Sequence, residues 1–356
     1  MPDRVRFTGE NKTRLWGLTA EERARRLATK HEEKNGALSG DNYIEVDRRF
    51  AFDPQWYAYV AERPGLVLTL GGETVLAHRG APERVVAHES GRTIYNHELR
   101  KRERPFLDRL TPETVPTLER ASYYSAYKGV TDALTKYLWP EWALFLTRIA
   151  ARLGMTPNMV TSIGAILCVA TFFLWMHGWY WTGMATAFIF MVLDTVDGKL
   201  ARCSITSSWW GNIFDHGIDL VHPPFWWWAW GAGLGAVGLA MDPTLFWGLI
   251  AALVAGYVLQ RLIEGYFIRV ADMHIHVWER ADTQFRLVTA RRNPNMVILL
   301  LSLLFARPDL GLWAVTIWTG LSLVFHFVRL CQAAMRRRRG EELTSWLVGT
   351  DMEEPE

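Results

Sequence analysis

Apolar and polar positions follow three different rhythms along this chain, and each predicts different elements. Up to about residue 120, short apolar runs alternate with charged stretches, the pattern of a small soluble α+β domain. Within it, Leu66–Leu70 and Thr74–His78 read as two strands around Gly71-Gly72-Glu73, a β-hairpin. The glycine pair is a turn rather than a phosphate loop, because no G-x-x-x-x-G-K-[ST] is present and no helix start follows it. From Leu138 to Leu153, Trp, Leu, Phe and Ile are interleaved with Arg148 and Arg152, which predicts an amphipathic helix lying in a membrane interface.

Beyond Thr156-Pro157-Asn158, a helix start with Pro in the first turn, apolar runs of membrane-spanning length recur. They predict spans over about 159–177, from Trp181 through Asp194 to Arg202, from Gly211 through Pro223-Pro224, over about 245–267 and over about 312–330. The apolar stretch from Met296 to Phe305 is only about half the usual length, yet counting it gives six spans and leaves both termini on one side. The expected architecture is therefore an all-α membrane domain of six transmembrane helices over 156–335. It is preceded by a soluble α+β domain over 1–120 and a linker with the interfacial helix over 121–155, and followed by a tail over 336–356.

Charge then sets the orientation. Lys136, Arg148 and Arg152 precede the first span, and Lys199 and Arg202 separate the second from the third. Arg280, Arg286, Arg291 and Arg292 lie between the fourth and fifth, and Arg336–Arg339 follow the last. The alternate connections are nearly free of basic residues, so the basic ones and both termini are expected in the cytoplasm, in a cytoplasmic (inner) membrane. The first residues lack the apolar core of a secretory signal. Composition supports the same picture: 18 Trp is high usage for a chain of 356 residues, and most lie beyond residue 138. Trp226–Trp228 and Trp230 read as packing against lipid or another protomer. A formal net charge of +2 gives no global case for nucleic acid. Three dispersed cysteines, Cys168, Cys203 and Cys331, fit neither a disulfide scaffold nor a zinc site.

The chemistry is concentrated between the second and third spans, in Asp194-Thr-Val-Asp197-Gly198-Lys-Leu-Ala201-Arg202, eight residues, then Gly211-Asn-Ile-Phe-Asp215-His-Gly-Ile-Asp219. On helices, 194, 197, 198, 201 and 202 share one face, and 211, 215 and 219 share another. Two such helices converge four carboxylates, which at membrane depth require protons or cations. An all-oxygen set without Cys or His suits Mg²⁺ or Mn²⁺, and four acids suit two ions better than one. Gly198 and Gly211 leave room for a ligand to approach the backbone, and Arg202 offers a fork for phosphate. A metal-bridged diphosphate site follows. Buried ion pairing between helices and an ion-coupled transporter are the competing readings; a requirement for a cytidine nucleotide separates the latter.

The pattern D-x-x-D-G-x-x-A-R-x₈-G-x-x-x-D-x-x-x-D resembles the signature of the CDP-alcohol phosphatidyltransferases, with every fixed position filled. The resemblance extends over roughly residues 125–335 and leaves the first domain unexplained. It implies an integral membrane enzyme, commonly a homodimer, that transfers a substituted phosphate from a CDP-linked donor to an alcohol acceptor and releases CMP. By carry-over, Asp194, Asp197, Asp215 and Asp219 resemble the metal ligands and Asp219 the general base, while Gly198, Ala201, Arg202 and Gly211 resemble the CDP-binding surface. Spacing alone does not separate base from ligand at Asp219. CDP-diacylglycerol with a polar alcohol is the expected pair, and a soluble CDP-alcohol with a lipid hydroxyl such as diacylglycerol is the alternative. Outside the signature, Arg261, Arg286, Arg291 and Arg292 are candidate contacts for an acceptor or its phosphate. His216 and His222 read as packed neighbours of the motif.

Overall fold

The computed structural model describes residues 4–348, so the end of the expected 336–356 tail lies outside the described residues. The fold divides into two compact units. One comprises the chain up to Gly129 with Leu144–Pro157 and Val196–Ser208. The other comprises Val130–Ala143, Asn158–Thr195 and the chain from Trp209 onward.

The first unit is built on a five-stranded sheet in the order Val5–Thr8, Tyr43–Asp47, Glu73–Arg79, Leu66–Leu70, Arg84–Ala87, with parallel pairing at both edges and antiparallel pairing inside. The expected hairpin is its centre. Gly71 and Gly72 both have positive φ, 57° and 80°, which a two-residue turn between twisted strands requires and which glycine adopts without steric cost. Alternate strand residues Ile44, Val46, Leu66 and Leu68 enter the core. There they meet Ala24, Leu27 and Ala28 of helix α1 (Ala20–Asn35) and Trp56, Tyr57 and Val60 of α2 (Pro54–Ala61). Thr19 starts α1 with a capping box to Glu22. Helix α3 (Val115–Ser125) is tied to the unit by the Trp16 indole, which donates to Ser122 Oγ at 2.6 Å.

Helix α4 (Pro140–Arg152) forms where an interfacial helix was expected. Ala143, Leu144 and Ala150 are buried, while Trp142, Phe145 and Ile149 lie exposed at i, i+3 and i+7. Helix α5 (Pro157–Met176) begins at the expected proline, and α6 (Tyr180–Cys203) runs unbroken through the first half of the acidic motif, Asp194 to Arg202. Helix α7 (Trp209–Ala232) continues through Pro223 and Pro224. Then come α8 (Pro243–Ala271), a short α9 (Arg280–Arg286), α10 (Arg292–Leu304) and α11 (Pro308–Arg338). Among the described residues, α5, α8 and α11 are long and apolar enough to cross a membrane, and α10, at 13 residues, is too short by that measure. Helix α6 ends in the charged motif and α7 carries two of the acids, so neither qualifies by composition alone.

The tryptophans correct one expectation. Trp226, Trp227 and Trp230 are buried inside the second unit rather than presented to lipid or another protomer. The Trp226 indole donates to the Cys168 carbonyl at 3.0 Å and Trp230 to that of Pro308 at 2.9 Å, which satisfies their N–H groups within a packed core. Small residues let the long helices approach: a Cβ at Gly256 of α8 would stand 2.8 Å from Thr319 Cγ2 of α11. Gly256→Val should therefore overpack this contact and destabilise the fold by about 1–3 kcal/mol. Thermal unfolding in detergent would show it as a lowered midpoint, and an unchanged midpoint would mean that the two helices separate without cost.

Candidate active site

The unbroken α6 puts Asp194, Asp197, Gly198, Ala201 and Arg202 on one face, and α7 does the same for Gly211, Asp215 and Asp219. The boundary between the two units crosses α6 after Thr195. Asp194, Gly211, Asp215 and Asp219 thus belong to the second unit, and Asp197, Gly198, Ala201 and Arg202 to the first.

In the second unit two carboxylates meet one guanidinium, and a third lies beside one of them. Arg292, the first residue of α10, donates from Nη2 to Asp194 Oδ2 at 2.5 Å and from Nη1 to Asp219. The Asp215 carboxyl is a hydrogen-bond neighbour of Asp194. Carboxylates drawn out of water need a positive charge beside them, and Arg292 supplies it from a residue 98 positions along the chain. Arg292 was expected among the contacts of an acceptor or its phosphate, and it lies among the acids of the motif. The donors fit a hard divalent ion, being carboxylate oxygens carried by two helices with no softer ligand among them. Asp219 is the most accessible of the group, its side chain 42% exposed against 18% for Asp194, so it is open to an incoming hydroxyl.

In the first unit, Asp197 is buried and Arg202 is half-buried. The Arg202 guanidinium folds back along the helix over Gly198, where a Cβ would come within 3.0 Å of Nη2. Its Nε donates to the Ala126 carbonyl at 3.1 Å. Gly198 therefore provides the space in which this fork lies. His222 is the packed neighbour it was read as: its Nδ1 bonds to the Ile218 carbonyl and its ring lies edge-on to Trp226.

The remaining basic candidates gather elsewhere in the second unit. Glu264 of α8 pairs with Arg291 and, at 3.3 Å, with Arg261. His276 Nε2 lies 3.3 Å from Glu264 and 3.2 Å from Arg291. Burial holds His276 well below its usual pKa, so it is neutral near pH 7. Arg286 is buried on α9 and acts on Asp132. Burial works to raise the Asp132 pKa, but the Arg286 charge and hydrogen bonds from the Thr135 backbone and the Asn293 amide hold it below the usual range. His326, 1% exposed, completes a Glu264–His276–His326 group whose ligand atoms lie within 4.8 Å of one another. This group is spread over 62 residues between its first and last members and left no spacing signal. Arg291 already provides its cation.

Residues 154–328 match the sequence profile of a family described as CDP-alcohol phosphatidyltransferase. Cholinephosphotransferase 1 of Gallus gallus is 31% identical over 125 residues, 33% of this chain and 36% of its own length. Choline/ethanolaminephosphotransferase 1 of Arabidopsis thaliana is 35% identical over 109 residues, 26% of this chain and 27% of its own. Phosphatidylinositol phosphate synthase of Cutibacterium acnes is 34% identical over 82 residues, 22% and 40% respectively. The matched stretches thus span about a third of the length of these relatives.

Proposed function

We propose, from the premise that residues 154–328 carry a CDP-alcohol phosphatidyltransferase domain, that the protein transfers a substituted phosphate from a CDP-linked donor to an alcohol hydroxyl and releases CMP. The observation that carries this reading is the meeting of Asp194 and Asp219 on Arg292, with Asp215 bonded to Asp194, on helices whose remaining motif positions are all filled. Asp194, Asp197, Asp215 and Asp219 would hold two Mg²⁺ or Mn²⁺ ions. When bound, these would offset the diphosphate charge and stabilise the departing CMP. Gly198, Ala201, Arg202 and Gly211 form the surface for the cytidine diphosphate, with the Arg202 fork facing its phosphates. Asp219, the exposed carboxylate, takes the proton of the alcohol as its oxygen attacks the phosphorus in line.

The donor is CDP-diacylglycerol and the acceptor a polar alcohol. Supporting this, Arg261, Arg286 and Arg291 bring three guanidinium groups against the two carboxylates of Glu264 and Asp132, an excess of positive charge suited to an anionic acceptor. The alternative, a soluble CDP-alcohol with diacylglycerol, is favoured by the names of the Gallus and Arabidopsis relatives. The membrane unit crosses with six helices, α5 to α8, α10 and α11. The exposed stripe of α4 lies in the interface, and the site and both termini face the cytoplasm. Homodimers are the expected assembly. The domain layout is soluble residues 1–120, a linker to 155, the membrane domain to 335 and a tail.

The test is CMP release by the purified protein with Mg²⁺. One arm offers CDP-diacylglycerol with a panel of polar and phosphorylated alcohols, the other CDP-choline or CDP-ethanolamine with diacylglycerol. Release in the first arm that depends on one acceptor supports the reading and identifies the product. Release confined to the second arm replaces the donor, and silence in both removes the activity.

A further inference from the structure

The first unit contains contacts that the proposed reaction does not use. All converge on the last turns of α6, the helix that carries Asp197 and Arg202. The face of that helix opposite the motif is buried. At 3.6 residues per turn, Val196, Lys199 and Cys203 point about 140–200° away from Asp194, and their exposures are 1%, 3% and 3%.

Three further observations show what holds this end. The last carbonyls of a helix have no intrahelical partner and carry the negative end of its dipole. Here Arg23 and Arg26, three positions apart on α1, donate to the carbonyls of Cys203 at 2.9 Å and Ser204 at 2.7 Å. Reciprocally, the carbonyl of Ala126, at the C-terminal end of α3, accepts from Lys199 Nζ at 2.9 Å and from Arg202 Nε. The Lys199 ammonium also lies 3.1 Å from the centre of the Tyr127 ring. Finally, the chain leaves α6 through Ile205 at φ 55°, a left-handed conformation that a β-branched residue adopts only under constraint. The Ile205 side chain is buried in the core of the first unit with Leu66, Leu68 and Trp56. The end of α6 is thus capped by cations of α1, the end of α3 by cations of α6, and an apolar anchor fixes the exit.

We infer that the N-terminal unit is a clamp on the catalytic helix, with Arg23, Arg26 and Lys199 as positioning residues that fix the rotation and axial height of Asp197 and Arg202. The soluble part of the chain is then a component of the active site's geometry without contributing a group to the chemistry. For its activity arm this rests on the functional reading above. Its exchange arm does not.

The experiment uses the full chain in detergent. Amide hydrogen exchange is followed over residues 200–206, with the strand Tyr43–Asp47 as an internal control for folding of the unit. CMP release is measured in parallel for Arg23→Met/Arg26→Met, for Arg26→Met alone and for Arg23→Lys/Arg26→Lys. The double Met variant should exchange at 200–206 at least ~10-fold faster, with the control strand unchanged, as a locally released element does. Its kcat should fall ~10- to 100-fold with a smaller change in the donor KM, the scale of a catalytic group misplaced by about 1 Å. The Lys pair, which keeps donors at the carbonyls, should recover most of both. Unchanged exchange overturns the clamp, and faster exchange with unchanged kcat overturns its positioning role. If the control strand also loses protection, Arg26→Met alone is judged by the same two criteria. If the wild type releases no CMP, the functional reading fails, and exchange alone decides whether the clamp exists.

Discussion

Asp219→Asn is expected to lower CMP release by ~10³-fold or more while leaving expression and thermal stability close to wild type. A positioned base contributes about 10²–10⁴ to a proton transfer, and the amide neither accepts the hydroxyl proton nor carries the charge that a divalent ion requires. The fold should tolerate the change because Asn keeps the shape and can still accept a hydrogen bond from Arg292 through its carbonyl oxygen. Asp219 is also 42% exposed, so the substitution disturbs little buried packing. Turnover is measured as CMP release under saturating donor, and folding by the unfolding midpoint of the same preparation. Activity within tenfold of wild type would remove Asp219 as base and leave it a peripheral ligand.

Arg292→Met should have the second largest effect, and on stability before activity. The guanidinium is the cation observed between Asp194 and Asp219. Removing one partner from a buried pair costs about 3–5 kcal/mol, and the partial exposure of Asp219 places this case near the lower end. In the variant a divalent ion becomes the available counter-charge. Its unfolding midpoint in chelator should therefore fall well below that of wild type and recover with millimolar Mg²⁺, since a ligand that binds only the folded state stabilises it by mass action. The wild type should show a smaller Mg²⁺ dependence. Equal Mg²⁺ responses of the two proteins would mean that Arg292 and the ion do not share the acids.

What the sequence made legible was local. The motif face of α6 spans nine residues of one helix, so spacing alone reports it, and the Gly71-Gly72 hairpin is likewise written into adjacent residues. The short α10 could be read because apolar length translates directly into helix length. Contacts across distance were not legible. Arg292 sits in a basic run that looks like a topology signal, and only folding brings it to Asp194. The four indoles near Pro224 read as facing lipid or another protomer because composition records how apolar a surface is and not which surface it meets; three of them are core. Arg23 and Arg26 lie in a strongly charged helix, AEERARRLATKHEEKN, that reads as a solvated face, and nothing in its pattern indicates that two of its arginines cap another helix.

The distance along the chain between Asp194 and its guanidinium also has a consequence for biogenesis. A ribosome adding about 5–20 residues per second makes Arg292 roughly 5–20 s after Asp194. During that interval α6 and α7 are already synthesised, with their acids uncompensated by any residue of the finished pair. On the six-helix reading proposed above, the helices least able to enter a bilayer on their own composition are therefore those that must wait for α10. A nascent chain arrested before residue 292 should be held by the insertion machinery or destroyed, and one extended past it should be able to settle into the membrane.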